Sequence, residues 1–167
     1  MAREYTLSCA MWIPLPMNKV FSFFADAHNL AAITPPWLSF VIHTPHPIDM
    51  RAGCYIDYTI RLIGVPLNWR TLISDYDPPH KFEDQQLKGP YRRWVHRHEF
   101  VEENGGITVR DAVCYVIPGG PLAPLAQALF VRRQLTDIFN FRQNAIAKLL
   151  LGEQSALARI LQPVQIN

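Results

Sequence analysis

The chain has little of what marks a secreted, nucleic-acid-binding or membrane-spanning protein. Its three cysteines, Cys9, Cys54 and Cys114, lie far apart and show neither CxxC spacing nor an even count. A disulfide framework is therefore not expected, and buried small hydrophobes in a reducing cytoplasm account for them. No run of one charge occurs: 16 basic and 14 acidic residues are scattered and leave a net +2. That gives no electrostatic footing for nucleic acid or an anionic bilayer, and the densest basic patch, Arg92, Arg93 and Arg97, reads as a solvated strand face. No apolar run reaches the ~18 residues of a membrane-spanning helix, so stable membrane insertion is not expected. The start, MAREYTLSCAMWIPLP, lacks the basic segment, apolar run and small-residue cleavage site of a secretory leader, and a cytoplasmic protein is expected. Chemical motifs are also missing. There is no GxSxG elbow, no catalytic-cysteine motif and no glycine-rich phosphate loop after a strand, and Gly119-Gly120 is flanked by prolines, which excludes conventional hydrolase and nucleotide chemistry. No cofactor is expected.

What is present suits a folded domain. Hydrophobic residues make up 49% and charged residues 18% of 167, a balance that buries a core rather than leaving the chain disordered. One domain is expected over residues 1–151, with 152–167 as a tail that adds at most a helical turn or two and is not fixed to the core. Residues 3–13 alternate through Tyr5, Leu7, Cys9 and Met11 as a first strand. Val20, Phe23, Phe24, Ala27 and Leu30 then recur at helical spacing, as one helix or two short ones, until Thr34-Pro35-Pro36 breaks the pattern. A short strand over 39–43 and the proline-rich loop TPHPIDMRAG lead into a meander of strands.

Three hairpins are legible. In the first, Ile56, Tyr58, Ile60 and Leu62 form one apolar face. A two-residue Gly64-Val65 turn would pair Leu62 with Leu67, Ile60 with Trp69, Tyr58 with Thr71 and Ile56 with Ile73, leaving Asp57 opposite Leu72 and Arg70 opposite Thr59 as solvated charges. Asp77-Pro78-Pro79-His80 turns the chain into a strand over 82–87, in which Phe82, Asp84 and Gln86 face inward, or Glu83 and Gln85 if the register slips at Gly89-Pro90. Asn104-Gly105 closes the longest hairpin, because both of its central residues need positive φ. That register pairs Phe100 with Val109, His98 with Asp111, His96 with Val113 and Trp94 with Tyr115. From Leu122 to Leu151 apolar residues including Leu125, Leu129, Leu135, Ile138, Phe139 and Ile146 recur at three- and four-residue steps, the pattern of a long amphipathic helix.

The stretch WRTLISDYDPPHKFEDQQLKGPYRRWVHRHEF, followed by ITVRDAVCYVIPGG and by DIFNFR at 137–142, resembles the SRPBCC or START-related helix-grip superfamily, close to its polyketide cyclase/dehydrase and coenzyme Q-binding-like branch. The resemblance implies an α+β fold in which a curved antiparallel sheet of about six or seven strands wraps a long C-terminal helix, with two short helices after the first strand. It also implies a deep apolar cavity that holds a hydrophobic small molecule such as a lipid, polyketide or quinone. The superfamily shares no catalytic residues.

On this reading the inward residues line a ligand site: Tyr58, Trp69, Thr71, Ile73, Gln86, Trp94, His96, His98, Asp111, Val113 and Tyr115 from the sheet, and Leu135, Phe139 and Arg142 from the helix. Aromatic residues on a concave face are ordinarily core, but core and lining coincide in a fold that keeps a cavity. The candidates for chemistry are His98, Asp111 and Tyr115. A carboxylate facing His98 favours its charged form or fixes its tautomer, so that the imidazole moves a proton beside a carbonyl while a tyrosine steadies the enolate. A half-buried histidine is more often structural than catalytic. Two histidines at spacing two with one aspartate supply only three ligands, so no metal is expected. Arg142, among apolar helix positions, either snorkels outward or pairs with Asp84 or Asp111. Two functions remain: a binding or carrier protein, and a cyclase, dehydratase or isomerase using the same pocket. The lip over 30–38 is placed to gate access, and a homodimer is the protein partner considered.

Overall fold

The computed structural model describes residues 3–167. One antiparallel sheet of eight strands runs in the order β2-β3-β4-β5-β6-β7-β1-β8. Its strands are β1 (Glu4–Ile13), β2 (Val41–Ile42), β3 (Tyr55–Leu62), β4 (Val65–Asp77), β5 (Lys81–Lys88), β6 (Arg93–Glu103), β7 (Gly106–Val116) and β8 (Arg159–Ile166). Two short helices, α1 (Met17–Ala25) and α2 (Asn29–Ala32), follow β1. Helix α3 (Ala123–Ala126) continues through a π-helical turn, Gln127–Val131, into the long α4 (Arg132–Leu151). The architecture is the expected α+β helix-grip, with a strand count above the expected six or seven.

The longest hairpin has the register that Asn104-Gly105 dictates: both residues sit at positive φ, and His98 faces Asp111, His96 faces Val113 and Trp94 faces Tyr115. The β3–β4 hairpin corrects the expected register. Its turn is Ile63-Gly64, at φ 51 and 77, which pairs Leu62 with Val65, Ile60 with Leu67 and Tyr58 with Trp69. The shift is two residues, so every side chain keeps its face. On the outer face the same shift brings Asp57 opposite Arg70, and these charges, expected to stay solvated apart, join in a two-pronged pair at 2.7 and 2.9 Å. Arg93 and Arg97 of the basic patch pair with Glu4 and Glu83.

The tail is a second correction. Gly152–Leu157 makes a 3-10 turn, and β8 then pairs with the free edge of β1, from Leu7 opposite Ile166 to Trp12 opposite Arg159. The segment RILQPVQI buries Ile166 in the core. Pro163, which lacks an N–H, sits on this outermost strand, where a missing donor is tolerated. The long helix is a third adjustment. Leu135, Phe139 and Ile146 are buried, while Leu125 and Leu129 ahead of α4 are exposed, because the π-helical turn adds a residue and rotates the apolar stripe.

Two large apolar clusters fill the space between sheet and helices. One joins Tyr5, Leu7, Trp69, Trp94 and Tyr115 to Leu135 and Phe139 of α4. The other packs α1, through Val20, Phe21 and Phe24, on Phe82, Phe100 and Val109 and against Ile146. Between them the concave face of β3–β6 is left partly uncovered.

Candidate functional site

That uncovered face borders a cavity of about 170 Å³. Space near 150 Å³ with hydrocarbon walls holds a benzene-sized guest, so this one admits at least an aromatic ring. One wall is aromatic: Tyr58 stacks on Trp69 at 5.8 Å between centroids, and Trp69 meets Trp94 edge-on at 5.7 Å. Leu135, Ile138 and Phe139 of α4 close the opposite side. Leu30, Ile33 and Leu38 of the expected lip border the cavity, as do Phe23 and Phe24 of α1.

At one end the wall turns polar. Strand pairing sets Asp84 of β5 opposite His96 of β6, and His98 of β6 opposite Asp111 of β7. All four side chains share the concave face, because positions two apart on a strand point the same way. Asp111 Oδ1 lies 3.1 Å from His96 Nε2 and 2.7 Å from His98 Nδ1, the latter out of line for a hydrogen bond. Asp84 Oδ2 approaches the other nitrogen of each ring, 3.5 Å from His96 Nδ1 and 3.7 Å from His98 Nε2. Asp111 also accepts a long contact from the Cys9 thiol at 3.8 Å.

Burial disfavours charge here, yet the groups answer it differently. Burial lowers His96, the neighbouring charge of His98 adds to this, and the aspartates only partly offset it, so His96 is held below its ordinary value. Burial also lowers His98, but the Asp111 and Asp84 carboxylates outweigh it and hold His98 above. Burial raises Asp111, and the charge on His98 with the His96 and His98 contacts reverses that and keeps it ionised. Two adjacent imidazoles thus have opposite preferences. Burial, with the negative charge of Asp111, pushes the Cys9 thiol up, so Cys9 is no nucleophile.

Arg142 fits neither expected role. It borders the cavity, stands 5.3 Å over the Phe139 ring, and its buried Nε has no hydrogen-bond partner. Neither Asp84 nor Asp111 pairs with it; their close contacts are the histidines. Trp69 likewise carries a buried Nε1 without a partner.

Of the other expected lining residues, Tyr58, Trp69, Thr71, Trp94, His96, His98, Leu135 and Phe139 border the cavity. Ile73 packs with Ala27 and Ile56 instead, and Val113 is core. Asp111 stands behind the imidazoles. Tyr115 is fully buried, and its hydroxyl accepts a hydrogen bond from Gln127 at 2.7 Å, so it faces away from the guest space. The Gln86 amide spans the 89–91 turn, donating to the Tyr91 carbonyl and accepting from the Tyr91 N–H. The inward register of Phe82 and Asp84 holds, and Glu83 faces outward to Arg97.

A profile of the family described as "Polyketide cyclase / dehydrase and lipid transport" matches residues 13–140. The chain belongs to this family. No curated protein matches it significantly in sequence. Among solved structures it is similar to truncated norcoclaurine synthase from Thalictrum flavum, with TM-score 0.67 and 14% identity over 90% of this chain and 96% of that one. It is also similar to the di-domain ARO/CYC StfQ from the steffimycin biosynthetic pathway, with TM-score 0.69 and 13% identity over 92% of this chain and 53% of that one. A third likeness is to ginseng major latex-like protein 151 from Panax ginseng, with TM-score 0.65 and 13% identity over 89% and 98%. At such identities the likeness is one of fold. This polyketide cyclase/dehydrase-family chain has the hydrophobic ligand-binding architecture, and among the described residues no helix is long and apolar enough to cross a membrane.

Proposed function

We propose that this protein binds a hydrophobic small molecule, of lipid, polyketide or quinone type, that carries a carbonyl or carboxylate acceptor. The observation that carries the reading is Arg142 on the cavity wall, its buried Nε without a partner. A buried donor left unpaired is costly, and a guest acceptor removes that cost while its apolar body fills the aromatic wall. The unpartnered Trp69 Nε1 supports the same guest. Three unpaired cysteines fit work in a reducing cytoplasm. Native mass spectrometry of the purified protein, with solvent extraction and identification of what is released, tests this. A single apolar, oxygen-bearing species in stoichiometric amount is expected, and an Arg142→Met variant that retains the same species at the same occupancy contradicts the acceptor's role.

The opposed preferences of His96 and His98 favour a second reading, cyclisation, dehydration or isomerisation of the same guest. Neutral His96 takes a proton beside a carbonyl, and charged His98 donates to the developing enolate. Tyr115, expected in that role, is spent on Gln127. Under this reading His96→Ala abolishes turnover with binding retained, whereas weakened binding alone marks a carrier.

A further inference from the structure

The polar corner of the cavity has the layout of a metal site. One ligand atom from each of Asp84, His96 and His98 lies within 4.8 Å of the others, and Asp84 Oδ2 stands 3.5 Å from His96 Nδ1 and 3.7 Å from His98 Nε2. Those spacings are at or beyond the limit of a hydrogen bond. They suit a shared ion instead, since donors ~2.1 Å from a tetrahedral centre stand about 3.4 Å apart. Asp84 faces His96 across paired strands and His98 lies two positions further along β6 on the same face, so the sheet holds the three together without loops.

A second, independent observation is what stands behind them. Asp111 contacts the far nitrogen of each imidazole, at 3.1 and 2.7 Å. A carboxylate on the rear nitrogen fixes the tautomer and turns the front nitrogen's lone pair outward, which is how metal-binding histidines are held. Here one buried aspartate stands behind both rings, hydrogen-bonded to His96 Nε2 and in close, out-of-line contact with His98 Nδ1. The charge balance agrees: a metal that displaces the His98 proton leaves Asp84 and Asp111 outweighing Arg142, the one arginine among the described residues bordering the cavity, and so a net negative corner.

We propose that Asp84, His96 and His98 bind a divalent first-row transition metal such as Zn²⁺, Fe²⁺ or Co²⁺, with Asp111 as the positioning residue behind both histidines. Two nitrogens and one oxygen are a borderline donor set that suits these ions rather than Mg²⁺ or Ca²⁺, which take oxygens. Three protein ligands leave open coordination positions, and these face the cavity, so the ion would meet a guest's carbonyl or carboxylate oxygen next to Arg142. With an ion in place the imidazoles cannot shuttle protons. The proposal therefore replaces the proton-relay form of the catalytic reading and leaves the binding reading untouched.

The test uses chelator-treated protein titrated with Co²⁺ alone, followed by its visible d–d absorption, with Zn²⁺ competition. One equivalent is expected to bind with the intense bands of a four- or five-coordinate ion. Asp84→Asn, whose side chain is 18% exposed and whose removal disturbs little packing, is expected to abolish the bands. Asp111→Asn is expected to weaken binding about 10- to 100-fold. His46→Ala serves as the control for adventitious binding, because exposed His28 and His46 meet at 3.1 Å and are a surface pair able to capture metal. Absence of stoichiometric binding overturns the proposal, as does binding that survives Asp84→Asn and vanishes in His46→Ala. Should Asp84→Asn fail to fold, ring-nitrogen NMR of wild-type protein with Zn²⁺ decides: shifts at His96 and His98 support the site, and shifts confined to His28 and His46 refute it. Guest binding measured in Asp84→Asn reports separately on the function proposed above.

Discussion

Asp84 and Asp111 stand on opposite sides of the same two imidazoles, one on the cavity side at 3.5 and 3.7 Å and one behind at 3.1 and 2.7 Å. The two carboxylates therefore differ in kind. Asp111 is buried, and removing its charge leaves buried His98 with only the longer Asp84 contact at 3.7 Å to balance a positive charge. Asp111→Asn is expected to cost about 3 kcal/mol, roughly 6–12 °C in Tm for a chain of this size. Thermal melts of metal-free protein check this, and a loss under about 1 kcal/mol contradicts the ion-pair account.

The β3–β4 turn stores strain that a substitution can relieve. Ile63 is β-branched, sits at φ 51 and is 78% exposed, so it bears the left-handed conformation with little packing in return. Ile63→Asn creates the Asn-Gly pair that this turn type prefers. A gain of about 1 kcal/mol is expected by urea denaturation, and a loss would mean that the Ile63 side chain packs in a way its exposure hides.

The Asp57–Arg70 pair sets a pH dependence. The Arg70 hydrogen bonds, against a smaller opposing effect of burial, hold the Asp57 carboxyl below its ordinary 3.8. A depressed carboxyl contributes stability above its unfolded value and loses it as pH falls through the folded one. Wild type is therefore expected to melt above Asp57→Asn at neutral pH, with the gap closing as the pH drops below 3.8. The gap should be small and shrink with salt, because both side chains are exposed. A gap independent of pH contradicts the assignment.

Local chemistry decided how much of this was legible in sequence. Asn104-Gly105 permits one turn, so the His98–Asp111 pairing was readable in full, and with it half of the polar corner. Ile63-Gly64 was not readable, because isoleucine rarely accepts positive φ, and glycine alone suggested a turn one residue later. That error moved the pairing by two and preserved every face, so Tyr58 and Trp69 were still placed on the cavity wall, while the Asp57–Arg70 pair was missed. The direction of a face does not say whether it borders space or core. Ile73, Val113 and Tyr115 point inward and are packed, Ile73 against Ala27 and Ile56 and Val113 and Tyr115 in the cluster that includes Ala123, with Gln127 of the π-helical turn on the Tyr115 hydroxyl. Strand periodicity does not reveal these covers. The strand β8 was missed for a related reason: RILQPVQI carries a proline, and its partner edge on β1 exists only once the sheet has formed. The lining residues Phe23 and Leu30 had a signal, helical spacing ahead of a proline break, that located the lip without showing what it covers.

The most direct measurement of the central claim is a fluorescence titration with anilinonaphthalene sulfonate, an apolar ring system bearing an anion, in wild type and in Ile60→Trp. Ile60 is buried on β3 and borders the cavity, so the larger ring fills the space that a guest would take. One saturable site in wild type is expected, weakened at least about tenfold, or about 1.4 kcal/mol, in the variant, with both proteins melting at similar temperatures. Equal affinity in the two proteins, or no saturable binding in wild type, would contradict a guest-holding cavity between sheet and helix.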